Sequence, residues 1–354
     1  RPALNRPGLQ VEVGAHATRI LFEGQRAVGI EYLRGGVLHQ AHAAREVILS
    51  GGVINSPHLL MLSGIGDPAE LAAHGIAVRA ALEGVGRNLQ DHVMAPVGYR
   101  RRTPGPFQRN MRLDRIGFHL ANAHLRGKGF ATNLPSPILA FLRSHEAASI
   151  PDLQLLFHGG PLDAAPYLPP FRPAFQDGFS VIAVVLRPES RGRLRLASAD
   201  PRQSIRIEQN FLAADRDWQT LRRGLRIIRD IAREAPLAAY VAEERIPGAA
   251  RTSDADLDTH IRSIAITVHH PLGTARMGTR PEDGAVVDPT LRVFGVDGLR
   301  VVDASVMPDL VGGNINAAVT MIAERTADLI RGRAPQAPAS PSSAPSGQPV
   351  AVAS

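Results

Sequence analysis

Apolar and polar positions alternate with a period of two from Val11 to Ser50, where VEV, TRILF, AVGIEYL and REVILS are separated by polar turns at Glu23 to Arg26 and at Gly35-Gly36. Such alternation sets one face of a strand on a core, so it predicts a small antiparallel insert feeding a last apolar strand. That strand ends in Gly51-Gly52, where the backbone can turn sharply or approach another group closely. Ser56-Pro57 then reads as a helix N-cap followed by proline at the first helical position, with Leu59, Leu60 and Leu62 as the apolar face. Asp67-Pro68 repeats the signal before AELAAHG, closed by Gly75.

Residues 93 to 210 are less periodic, with proline-rich loops and strand candidates at DLQLLF, FSVIAVVL and GRLRLAS. A long amphipathic helix follows, carrying Trp218, Leu221, Leu225 and Ile228 at three- and four-residue spacing and arginines on the opposite side. Ser253 is placed to cap another helix over about 254 to 264. After position 265 come a His-Pro-Gly segment, a hairpin-like stretch to Val302, a loop rich in glycine and asparagine, and a terminal helix from about 315 to 331. The tail, 334–354, offers too little apolar surface to offset its ordering entropy and is expected to be disordered.

Composition narrows the field. A chain of 354 residues, 44% apolar and 21% charged, is expected to fold as two intertwined domains. The net charge of +7 would suggest a polyanionic partner, but the cations are scattered arginines with Lys128 the only lysine, which argues against a nucleic-acid face. With no cysteine, thiolate chemistry and cysteine-ligated zinc are excluded, and no metal site is expected. No apolar run reaches the roughly 18 to 20 residues of a transmembrane helix. The opening RPALNRPGLQVEV has no signal-peptide features and no methionine, so the expectation is a cytoplasmic protein whose natural N-terminus is absent.

Three stretches carry candidate chemistry. GVINSPHLLMLSGIG, from Gly52 to Gly66, has the order of a strand, a tight turn and a buried helix, which many α/β proteins share. VHHPLGTARMG sets His269 and His270 before Pro271 and Gly273. A histidine beside a strand is most often a packed core residue, yet imidazole is also the side chain best matched to moving a proton near neutral pH. In GLRVVDASVMPDLVGGNINAAVTMIAERTADLI an apolar strand ends in Asp303, and Asn314 and Asn316 stand at the entrance of the last helix. Both asparagines could cap that helix; its N-terminus also presents the field that stabilises developing negative charge.

In this order the three stretches resemble the glucose-methanol-choline (GMC) family of flavoprotein oxidoreductases, with smaller matches at GVGRNLQDH, Gly84 to His92, and LRPESRGRLRLASADP, Leu186 to Pro201. The resemblance implies an α/β (α+β) fold: an incomplete Rossmann-like FAD-binding domain over 1–95 and 280–333, and a sheet-and-helix substrate domain over 96–279. It makes His270 the catalytic base and Asn314 its partner on the substrate oxygen. Val13, Gly52, Ser56, Asp303, Ala304 and Asn316 fall at the FAD, while His269 stands where an aromatic is common and is read as structural. The implied reaction oxidises a small-molecule alcohol to an aldehyde or ketone by hydride transfer to the flavin, as a dehydrogenase rather than an oxidase, with uncharged alcohols favoured. The same scaffold also supports hydroxynitrile lyases, and a non-catalytic remnant is a further alternative. A complete member opens with a strand, a GxGxxG turn and a helix that bind the FAD pyrophosphate. The nearest string here, GVGRNL at Gly84, lacks the third glycine, so the isolated chain is expected neither to retain FAD nor to turn over.

Overall fold

The computed structural model describes residues 3–132 and 138–334; of the predicted tail, residues 335–354 lie outside the described residues. The N-terminal insert forms as expected. Strands His16–Glu23, Arg26–Arg34 and Val37–His42 make a three-stranded antiparallel sheet in sequence order. Gly35 and Gly36 turn between the last two with φ of 57° and 82°, the left-handed pair a two-residue hairpin needs. VEV does not become a strand: the backbone there is irregular, and Val11 and Val13 are exposed. Three alternating residues make no ladder without an edge to pair with.

The apolar strand Val47–Leu49 pairs in parallel with Leu299–Val301, which brings the two ends of the chain's chemistry side by side. Helix Gly52–Leu62 leaves this sheet and buries Val53, Leu60 and Met61 in a core with Ile65, Leu71, Leu89, Val286, Val301 and Val306. Here the sequence expectation is corrected. The helix begins four residues before Ser56, with Gly51 at its N-cap, and Pro57 lies inside it. Proline has no N–H to give the carbonyl four residues back, that of Val53. The Thr274 hydroxyl donates to it instead, at 2.6 Å. Asp67, by contrast, caps Pro68–Ala73 as predicted, accepting from the Ala69 N–H at 2.9 Å.

A second core forms on a larger antiparallel sheet, ordered Val241–Ile246, Val93–Arg101, Gly178–Val185, Leu153–His158, Ile138–Leu142. All residues of Gly178–Val185 are buried, because helix Asp215–Arg233 covers the sheet. Leu221, Leu225 and Ile228 of that helix are at most 1% exposed, each stabilising the fold by roughly 1.5–3 kcal/mol. Its arginines are not all on the outer side: Arg229 is buried and meets the buried Glu244 at 2.8 Å. Helix Asp254–Ile264 starts in a capping box of Ser253 and Asp256, on the boundary read from sequence. Ile266–Thr267 pairs with the beginning of Val93–Arg101, and so delivers the His-Pro-Gly segment to the junction of the two cores. The last helix among the described residues is Asn316–Ile330. Among the described residues no helix is long and apolar enough to cross a membrane.

Candidate active site

Strand Leu299–Val301 runs into Asp303, whose buried carboxylate gathers four donors. The Gly52 N–H (2.9 Å) and Ser56 hydroxyl (2.6 Å) reach Oδ2, while the Ser305 N–H (2.8 Å) and hydroxyl (2.5 Å) reach Oδ1. Gly52, Ser56, Asp303 and Ala304 thus meet at the head of the first helix. Both carboxylate oxygens are engaged inside the protein, so Asp303 serves as an anchor between the helix and the strand. Gly52 has φ of +82° with open space where a side chain would stand. Val13 is apart from this group, on an exposed turn. Ala15 and His16, just after it, line a cavity of about 430 Å³ together with Gly51, Asn55 and Ser56.

The His-Pro-Gly segment runs alongside Ala304 to Val306: Gly273 N–H donates to Ala304 O (3.3 Å), Ala275 N–H to Ser305 O (2.8 Å) and Met277 N–H to Val306 O (2.8 Å). Gly273 has φ of +91°, and a Cβ there would lie 2.6 Å from the Asn88 carbonyl oxygen, so no larger residue fits. On the other side the segment pairs with residues 90–94, through Gln90 with Leu272 and Val93 with Thr267. Between those pairs lie residues 91 and 92 on one strand and 268–271 on the other. The longer side bulges, and His269 absorbs the bend with φ of +64°. His269 ends exposed; His270 turns inward and is half-buried.

His270 is held on three sides. Its backbone N–H donates to Asp91 Oδ1 at 3.0 Å, and Asp91 also accepts from the Thr267 hydroxyl. Its Nδ1 lies 3.0 Å from Nδ1 of His92, with the ring planes at 85°. Its Nε2 lies 3.3 Å from the amide nitrogen of Asn314. Burial pushes the His270 imidazole below its ordinary value, with the Asp91 carboxylate pulling the other way. Burial likewise raises the Asp91 carboxyl, against its hydrogen bonds from Thr267 and His270.

Asn314 and Asn316 do not cap the last helix: its N-cap is Ile315, with no side-chain acceptor on the first turn. Asn314 spends its amide on His270 instead, and Asn316 is exposed at the first helical position. The Phe141 ring lies against Gly313, and the Arg187 guanidinium against Gly312. The donor set fits a flavin at this place: an uncapped helix N-terminus, exposed at Asn316 and Ala317, stands beside the half-buried His270 imidazole and an amide donor. Sequence reasoning missed His92, Asp91 and Thr274. GVGRNLQDH was read as a joining segment; an acid-histidine pair at the mouth of a strand was the available signal.

Two family models, both described as GMC oxidoreductase, match residues 1–94 and 188–323. Over 334 residues the chain is 40% identical to the mitochondrial choline dehydrogenase of Mus musculus, covering 94% of this chain and 55% of that protein. It is 39% identical over 337 residues to an alcohol dehydrogenase [acceptor] of Pseudomonas putida, covering 92% of this chain and 59% of that one. Among solved structures, pyridoxine 4-oxidase from Mesorbium loti superposes with a TM-score of 0.79 at 30% identity, over 95% of this chain and 60% of that one. An Aspergillus oryzae formate oxidase, solved in work on FAD modification, gives a TM-score of 0.82 at 27% identity, over 93% and 62%. The chain therefore spans somewhat over half the length of the relatives it matches.

Proposed function

Because the chain belongs to the GMC oxidoreductase family of flavoproteins, we propose that it is the base-carrying part of an FAD-dependent enzyme that oxidises an alcohol to an aldehyde or ketone. The observation that supports this most is the half-buried His270 with Nε2 at 3.3 Å from the Asn314 amide, beside an uncapped helix N-terminus. A substrate hydroxyl entering between them donates its proton to His270 Nε2, while its oxygen accepts from the Asn314 amide. Held this way, the oxygen loses its proton as the carbinol hydrogen departs, which is where an oriented base contributes its typical 10²–10⁴-fold. When bound, FAD supplies the hydride acceptor. The uncapped first turn of the last helix, at Asn316, supports this reading, because a helix N-terminus favours the negative charge that transfer creates. Asp303 and Ser56 act by fixing the head of the first helix; Gly52 leaves room for a close approach.

Two neighbours of the loop before Asn314 support an uncharged substrate: Phe141 against Gly313 and the cationic Arg187 against Gly312. A positive guanidinium disfavours a quaternary ammonium alcohol. Dehydrogenase rather than oxidase activity is supported by sequence relatives that are named dehydrogenases at about 40% identity. The test is anaerobic mixing of the FAD-loaded protein, together with any GxGxxG-bearing segment it carries outside these residues, with a panel of primary alcohols, choline included. Bleaching of the flavin band by uncharged alcohols, lost in His270→Ala, is expected. A panel that bleaches nothing, or bleaching unchanged in His270→Ala, overturns the proposal.

A further inference from the structure

We infer that His92 is a positioning residue that holds His270 as its Nδ1–H tautomer, so that the Nε2 lone pair is the one facing Asn314 and the substrate hydroxyl. The inference rests on the reading of His270 as the base and concerns what makes it one.

The argument follows the donors. His92 is fully buried, and its Nε2 lies 3.2 Å from the carbonyl oxygen of Leu186. A carbonyl only accepts, so Nε2 of His92 carries the hydrogen. A neutral imidazole has one N–H, which leaves Nδ1 of His92 as an acceptor. That acceptor faces Nδ1 of His270 at 3.0 Å, and a contact of two nitrogens at this distance needs one proton between them. His270 must supply it. Its own Nε2 is then bare, and the amide of Asn314 at 3.3 Å donates to it, consistent with the same assignment from the opposite side.

The reverse arrangement needs a doubly protonated His92, and its surroundings oppose that charge. Burial first, then the charges of His270 and Arg187, push its imidazole down to about 4, against the carbonyls of Leu186 and Val311. The neighbouring Asp91 does not reverse this, since its carboxylate is turned to Thr267 and to the backbone of His270. An imidazole with no second-nitrogen partner populates both tautomers, and only one is a base at Nε2. The two-residue bulge at 268–271 brings the rings together, and the Val268 N–H, donating to His92 O at 3.2 Å, keeps them in register.

The test labels histidine with 15N and reads the ring nitrogens of His270 by two-bond proton correlation, assigned with His270→Asn. The native protein is expected to show a protonated Nδ1 and a bare Nε2 at His270. In His92→Leu that pattern is lost to a mixture or to the Nε2–H form. In His92→Asn, whose Oδ1 can stand where the nitrogen stood, it is retained. With FAD and alcohol, His92→Leu loses at least about tenfold in kcat with KM little changed, and His92→Asn recovers most of it. A native His270 protonated at Nε2 overturns the inference whatever the variants do, as does an unchanged pattern in a folded His92→Leu. If the tautomer responds as expected but no alcohol reduces the flavin in any form, the proposed reaction fails and the role of His92 stands.

Discussion

Ser56 donates its hydroxyl to Oδ2 of Asp303 at 2.6 Å, across 247 positions of sequence. The bond closes the parallel strand pair onto the first helix, and the Gly52 N–H shares the same oxygen. Replacing the carboxylate by an amide turns one acceptor into a donor facing donors. Asp303→Asn is therefore expected to cost about 2–4 kcal/mol of stability and Ser56→Ala about 1–2. Urea denaturation measures both, and an Asp303→Asn protein as stable as the native one would refute the anchor.

A base works only when it is unprotonated. Since burial lowers His270 from its ordinary value, kcat/KM should fall as pH drops through a point below the usual imidazole value of about 6.5. His270→Ala should lose about 10²–10⁴ in kcat with a smaller change in KM. A pH profile with its acid inflection above 6.5 would contradict the assignment.

His92 connects acidity to folding. Unfolded, it takes a proton near 6.5; folded, near 4. Between those values the unfolded chain binds more protons, so stability is present above 6.5 and is lost as pH falls toward 4, by up to about 3 kcal/mol. His58, His260 and His270, all lowered by burial, add to the loss, while the raised Asp91 opposes it. Thermal melts between pH 7 and 4.5 should show the decline, flatter in His92→Asn. A melting temperature constant over that range would count against the buried neutral ring.

Arg229 and Glu244 form a buried pair, bidentate at 2.8 and 3.0 Å, on the sheet beneath the long helix. Arg229→Met alone should destabilise by about 3–5 kcal/mol, since it leaves the carboxylate buried without a partner. The double change Arg229→Met with Glu244→Leu should recover most of that. A double variant no better than the single one would show that the pair is not what Arg229 contributes.

Local signals were legible where the local structure decides. Ser253 and Asp256 bond each other within one turn, and Asp67 reaches the N–H of Ala69, so both helix starts could be read from neighbouring residues. The same kind of signal misled at Ser56-Pro57, because a proline inside a helix is tolerated once a distant hydroxyl takes the freed carbonyl, and that hydroxyl is 221 positions away. Asn314 looked like a cap and is a hydrogen-bond partner of His270, since the helix begins one residue late for it. Arg229 broke the outer-face pattern because its counter-charge arrives from the sheet beneath, on strand Val241–Ile246. His270 and Asn314 could be named from motifs. His92 could not be placed beside them, because the contact depends on a bulge set by unequal spacing on two strands.

The proline in the first helix and Thr274 carry a last consequence. A residue with an N–H at position 57 would close the helix's own hydrogen bond and make the threonine hydroxyl redundant, while a threonine lost beneath an unchanged proline would strand a buried carbonyl. The two positions therefore form a ratchet. Once the proline is present, the hydroxyl four residues beyond His270 is no longer free to vary, and the segment that carries His270 is tied to the helix that follows the parallel sheet.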